Sequence, residues 1–176
     1  MQGYVPLHNH TCFSADGAGT IADLMDHAAH LGFESIAITD HGTLGGAVQF
    51  WKAAKERGIK PIFGVEAYIG WESKRGHLTV LSSGERGFRN LVALNNAAHE
   101  NVQRGFPIVT MDMLSQYNDG LIVLSGCSAS PLYFGDEADG LSFGGALYDI
   151  FGDRLYAEVM GVIDEDNYTR PRLLAK

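Results

Sequence analysis

The chain reads as one α/β domain on a largely parallel sheet, of the barrel kind rather than the open nucleotide-binding kind. Three observations predict this. Short apolar runs of strand length alternate with longer segments of helical periodicity, as crossover-connected parallel strands require. Residues that bear chemistry cluster where these runs end: His8, His10, Asp16, Asp40, His41, Glu66 and Cys127 all close or follow a predicted strand, and barrels carry their sites at the C-terminal strand ends. No glycine-rich phosphate loop follows the first strand, as an open dinucleotide-binding sheet would need.

Residues 4–7 read as a short buried strand that delivers His8-Asn9-His10, and Asp16 follows in Ser14-Ala15-Asp16-Gly17. Alternate strand residues point to one side, so His8 and His10 can converge. Two imidazoles with a nearby carboxylate suit zinc, manganese or iron. A lone His-x-His pair could equally be an unliganded strand end; the recurrence of metal-type residues at later strand ends favours a metal.

Thr20 is placed to cap a helix whose stripe is Ile21, Leu24, Met25, Ala28 and Leu31, with Gly32 at its end. His27 and His30 on it read as surface residues. Residues 35–39 form a buried strand ending in Thr39-Asp40-His41-Gly42. A helix follows Gly45-Gly46 to about Arg57, with Ala47, Phe50, Trp51 and Ala54 facing inward and Gly58 closing it. Residues 60–68 are the third strand. Glu66 stands inside that apolar run, where an ionised carboxylate is costly unless paired or bound to a metal.

A polar turn over residues 71–76 leads to a strand over 77–81, this time with its histidine, His77, at the start. Phe88, Leu91, Val92 and Asn95 mark a helix ending near Gly105, and Thr110 caps a short one. Asn118-Asp119-Gly120 turns into the strand 121–124, which ends in Ser125-Gly126-Cys127. Residues 134–145, rich in Gly, Asp and Ser, read as a loop, followed by a short helix at 146–151, a strand at 155–160 and an acidic turn holding Asp164 and Asp166.

Composition narrows the function. The 176 residues suffice for one domain with a sizeable core. Their apolar runs are too short to span a bilayer, and a secretory leader is not evident, so a cytoplasmic protein with no membrane partner is expected. Two cysteines, Cys12 and Cys127, make no disulfide framework. A formal net charge of -8 argues against gripping nucleic acid by bulk electrostatics. Any DNA must therefore be presented by something else.

Taken together, His8-Asn9-His10 with Asp16, Thr39-Asp40-His41-Gly42, Gly64-Val65-Glu66, His77-Leu78-Thr79 and Leu124-Ser125-Gly126-Cys127 resemble the polymerase and histidinol phosphatase (PHP) domain. The blocks Gly45-Gly46-Ala47-Val48-Gln49-Phe50, Gly58-Ile59-Lys60-Pro61-Ile62 and Gly120-Leu121-Ile122-Val123-Leu124-Ser125-Gly126 resemble its polymerase branch, the N-terminal PHP domain of bacterial and phage DNA polymerase III alpha subunits. The resemblance spans residues 1–176. It implies a distorted (β/α)7 barrel with up to three divalent metal ions. His8, His10 and Glu66 would hold one; Glu66 would bridge to a second held by His77 and Cys127; Asp16 and His41 would hold a third. Asp40 would orient a ligand or its neighbour.

The family's late Asp-x-His motif has no counterpart in residues 128–176, so a barrel incomplete at its C-terminal end is expected, with the middle metal held most persistently. The activity implied is metal-dependent 3′ to 5′ exonucleolytic proofreading, with DNA, the remaining polymerase domains and other replisome subunits as partners. The rivals are a non-catalytic PHP scaffold and a histidinol-phosphatase-type phosphoesterase.

Overall fold

The computed structural model describes residues 3–133 and 137–159. In chain order come α1 (Ile21–His30), β1 (Ser35–Ile38), α2 (Ala47–Arg57), β2 (Lys60–Trp71), β3 (Lys74–Ser82), α3 (Gly84–Glu100), β4 (Val102–Gln103), β5 (Phe106–Val109), α4 (Met111–Tyr117), β6 (Leu121–Leu124), α5 (Glu137–Phe151) and β7 (Leu155–Tyr156).

The long strand β2 is the spine of a 7-stranded mixed sheet. Its first residues pair in parallel with β1, its later ones antiparallel with β3, and Tyr68 and Ile69 in parallel with β5. Beyond β3 the sheet continues through β6, antiparallel, to β7, parallel to β6. Strand alternation separates two faces. Val65, Ala67 and Ile69 of β2, Leu78 and Val80 of β3, and Leu121 and Val123 of β6 pack against Leu91 and Leu94 of α3 and Phe143, Leu147 and Phe151 of α5. A second cluster joins Ile21 and Met25 of α1, Phe50 and Ala54 of α2, and Ile36 and Ile38 of β1. The residues between, including Glu66, His77, Ile122 and Leu124, line a cleft of about 1430 Å³.

Several local expectations are met by local chemistry. Thr20 and Asp23 form a reciprocal capping box on α1, and Gly58 ends α2 at φ 66. Thr110 caps α4 by accepting from the Met113 N–H.

Others are corrected. The sheet is not all parallel: β2–β3, β3–β6 and β4–β5 are antiparallel pairs. Residues 4–7 form no strand. The Ala37 N–H bonds to the Pro6 carbonyl (2.9 Å), but the Ala37 carbonyl, which a parallel ladder would pair with the His8 N–H, accepts from the Asn9 side-chain amide (3.0 Å), so no ladder develops. Trp51 is 46% exposed rather than buried, with the Lys55 ammonium over its ring. The helix read as far as Gly105 stops at Glu100, because Arg104 and Gly105 both take positive φ and turn a small hairpin from β4 into β5.

The loop read over 134–145 is largely helix. Gly140 there permits a close approach, since a Cβ on it would lie 2.5 Å from the Leu132 carbonyl oxygen. The strand read over 155–160 is Leu155–Tyr156 among the described residues, and Asp164 and Asp166 lie outside them. Among the described residues no ladder joins β7 to β1 or β4.

Candidate metal centre

The strand read over 77–81 begins at Lys74, so His77 lies within β3, and the antiparallel pairing of β3 with β2 brings it to Glu66. His77 pairs with Tyr68 and Thr79 with Glu66, so His77 and Glu66 share one face of the sheet at neighbouring register positions. His8 and His10 arrive on the extended segment beside β1. Asn9 between them is clamped to the β1 segment: its N–H donates to Thr39 Oγ1 (2.8 Å), and its side-chain amide donates to the Ala37 carbonyl (3.0 Å).

Asp40 is 1% exposed and touches no imidazole. Its carboxylate accepts from Thr11 N–H (2.6 Å), Thr11 Oγ1 (2.8 Å) and Ser14 Oγ (2.9 Å), which satisfies a buried acceptor and fixes the loop after His10. The Ser14 hydroxyl proton is thereby committed to Asp40. Ser14 Oγ in turn accepts from the His41 N–H at 2.8 Å, and His10 Nδ1 lies 3.1 Å from it. His10 must therefore carry its proton on Nδ1, which leaves the Nε2 lone pair facing the cleft. The loop closes so tightly that a Cβ on Gly17 would lie 1.8 Å from the Thr11 carbonyl oxygen.

At the centre stands Glu66, 1% exposed. Its Oε2 lies 3.1 Å from His8 Nε2, 3.0 Å from His10 Nε2 and 3.1 Å from His41 Nδ1. Its Oε1 lies 3.2 Å from His77 Nδ1 and accepts from Cys127 Sγ at 3.2 Å. Asp16, on the exposed rim, reaches His41 Nε2 at 3.0 Å. All seven residues singled out as ligands from the sequence thus meet in one cluster. They overlap as His8–His10–Glu66, His10–Asp16–His41 and His41–Glu66–His77, with Cys127 beside His77 at 3.7 Å.

Several features of this donor set fit a cation. His8 Nε2 and His10 Nε2 lie only 3.1 Å apart. His41 Nδ1 is buried and, although 3.1 Å from Glu66 Oε2, makes no well-aligned hydrogen bond, so its lone pair is free to meet an ion. The mix of imidazole, carboxylate and thiol suits a borderline divalent metal.

Glu158 was not singled out from the sequence, although it bonds directly to His8. Its Oε1 lies 2.5 Å from His8 Nδ1, and Thr79 Oγ1 donates to its Oε2 at 3.0 Å. The signal was available: Glu158 interrupts an apolar run, Leu155 to Met160, much as Glu66 does.

Burial alone would lower the His8 pKa, but hydrogen bonds and charge from Glu158 and Glu66 outweigh it and push the group up to about 10. Burial likewise works to raise Glu66, yet hydrogen bonds from His10, His77 and His8 hold it well below the usual carboxylate range. Burial, reinforced by Glu66, pushes the Cys127 thiol up to about 11. A raised histidine stabilises the fold fully below its unfolded value of 6.5 and loses that contribution as pH rises through about 10. Glu66, being depressed, contributes throughout that window. The metal-free chain, held in chelator, is expected to melt at a lower temperature at pH 10 than at pH 7; a melting temperature that does not fall would contradict this electrostatic account.

The chain is similar to known proteins over most of its length. The sequence pattern of the PHP domain matches residues 6–160. The DNA polymerase III subunit alpha of Chlamydia pneumoniae is 40% identical over 139 residues, covering 72% of this chain and 11% of the relative. That of Thermus aquaticus is 37% identical over 175 residues, covering 89% and 14%. The chain thus spans only a small part of the curated relatives it matches. Among solved structures, an amidohydrolase from Chromobacterium violaceum superposes loosely, at TM-score 0.43 and 25% identity, covering 82% of this chain and 49% of the other. No helix among the described residues is long and apolar enough to cross a membrane.

Proposed function

The chain belongs to the PHP domain family, and from that premise we propose that it is the PHP domain of a cytoplasmic, bacterial-type replicative DNA polymerase alpha subunit and hydrolyses phosphodiesters with divalent metal ions. The observation that carries this reading is the convergence of four imidazoles and a thiol on the single buried carboxylate of Glu66.

His8, His10 and Glu66 would hold one ion, Glu66, His77 and Cys127 a second, and Asp16 with His41 a third, zinc, manganese and iron being the suitable elements. Bound there, such ions would polarise a phosphodiester and acidify a water. The side chains themselves supply geometry. Glu66 ties both ends of the cluster together, Asp40 sets the His10 tautomer through Ser14, and the open side of the cleft admits the scissile strand. With a net charge of -8, the chain depends on the remaining polymerase domains, and on other replisome subunits, to present DNA. We read the 7-stranded sheet as belonging to a distorted (β/α)7 barrel, and the chemistry that fits the branch is 3′ to 5′ removal of nucleotides.

A scaffold role is the second reading. It is favoured by the formal net charge of -8, which gives this chain no bulk attraction for DNA. Glu66, His77 and Cys127 bring a carboxylate, an imidazole and a thiol within 3.7 Å of one another, and this group should hold metal most tightly. His77→Ala is expected to remove the most persistently bound metal and, with it, shortening of a 5′-labelled primer from its 3′ end. Unchanged metal content in His77→Ala overturns the site assignment. Metal binding without primer shortening supports the scaffold, and hydrolysis confined to a simple phosphomonoester supports a small-molecule phosphoesterase.

A further inference from the structure

We propose that Glu158 is a positioning residue of the metal centre: it holds the Nδ1–H of His8 and so aims the His8 Nε2 at Glu66 and His10. The inference rests on the metal-centre reading above and deepens it.

The geometry is closed on every side. Glu158 Oε1 lies 2.5 Å from His8 Nδ1, while Thr79 Oγ1, 0% exposed, donates to Oε2 at 3.0 Å and fixes the plane of the carboxylate. The Glu158 backbone N–H donates to Ser125 Oγ (2.8 Å), and the Ser125 N–H donates to the Tyr156 carbonyl (2.8 Å). The register of β7 on β6, Leu124 against Tyr156, therefore sets where the carboxylate stands.

With Nδ1–H held, the ring presents Nε2 3.1 Å from both Glu66 Oε2 and His10 Nε2. A carboxylate on the far nitrogen fixes tautomer and ring plane and raises the basicity of the ligating nitrogen. His10 reaches the same state by another route, through Ser14 and Asp40. The two histidines of the His-x-His pair are thus each backed by a different acid, one from the β1 end and one from β7.

The test compares wild type, Glu158→Ala and Glu158→Gln by zinc affinity, in competition with a chromophoric chelator, and by the His8 Nδ1 proton in nitrogen-15 NMR spectra, with and without zinc. Glutamine keeps an oxygen that can accept from Nδ1–H and an amide that can donate to Thr79. Glu158→Gln is therefore expected to stay within a few-fold of wild type and to retain a slowly exchanging Nδ1 proton. Glu158→Ala is expected to lose that proton signal and about 10–100-fold in zinc affinity. An unchanged Nδ1 proton, or an unchanged zinc affinity, in folded Glu158→Ala overturns the proposal. A wild-type chain that takes up no zinc overturns the metal centre itself, and so separates the two failures.

Discussion

Replacing Glu66 with glutamine is expected to reduce metal affinity more than any other single substitution in the cluster, by more than about 100-fold, beyond the loss typical of removing a partner outside the coordination sphere. The reason is topological. Glu66 is shared by the His8–His10–Glu66 and His41–Glu66–His77 groups, and its other oxygen also meets Cys127. Glutamine keeps the size but carries no charge, and it presents an amide N–H2 toward nitrogen atoms that are themselves donors when protonated. It also removes one of the two carboxylates that hold the His8 proton. Isothermal titration with zinc or manganese reads the effect, and a Glu66→Gln chain that binds like wild type would remove the carboxylate from the centre of the mechanism.

Phe143→Ala is expected to cost about 3–5 kcal/mol of folding stability, a large share of the roughly 5–15 kcal/mol typical of a domain. Phe143 is 0% exposed and stands edge-on to Trp71, with ring centroids 5.2 Å apart. It lies on α5, in the stretch read from sequence as a loop. An exposed loop position would change stability by only about 0.5 kcal/mol. Urea unfolding therefore separates the two placements: a midpoint close to wild type would mean that α5 is not part of the core.

The site was more legible than the fold that assembles it. Ligand chemistry is local: histidines, acids and a cysteine at the ends of apolar runs can be read residue by residue, and all seven meet around Glu66. Pairing direction is not local. Nothing in His77-Leu78-Thr79-Val80-Leu81 states that its strand runs antiparallel, yet that reversal, in a strand that begins earlier at Lys74, sets His77 opposite Tyr68 and within reach of Glu66. Glycines misled for a related reason. Gly140 and its neighbours resemble loop composition, but a missing side chain also lets a helix approach Leu132 closely, and only the packed structure separates the two uses. Residues 4–7 misled the other way: the apolar run suggested a strand, but the Asn9 side-chain amide takes the Ala37 carbonyl that a ladder would need. Glu158 carried the same signal as Glu66, an acid inside an apolar run, but its partner His8 is 150 residues away and is met only once β7 is seated beside β6.

The most direct test of the metal centre is elemental analysis of the purified chain, after loading with zinc or manganese and desalting, beside Glu66→Gln treated identically. At least one metal ion retained per wild-type chain and none in the variant is the expected result. A wild-type chain that retains no metal, or equal metal in both, would contradict a centre built on Glu66.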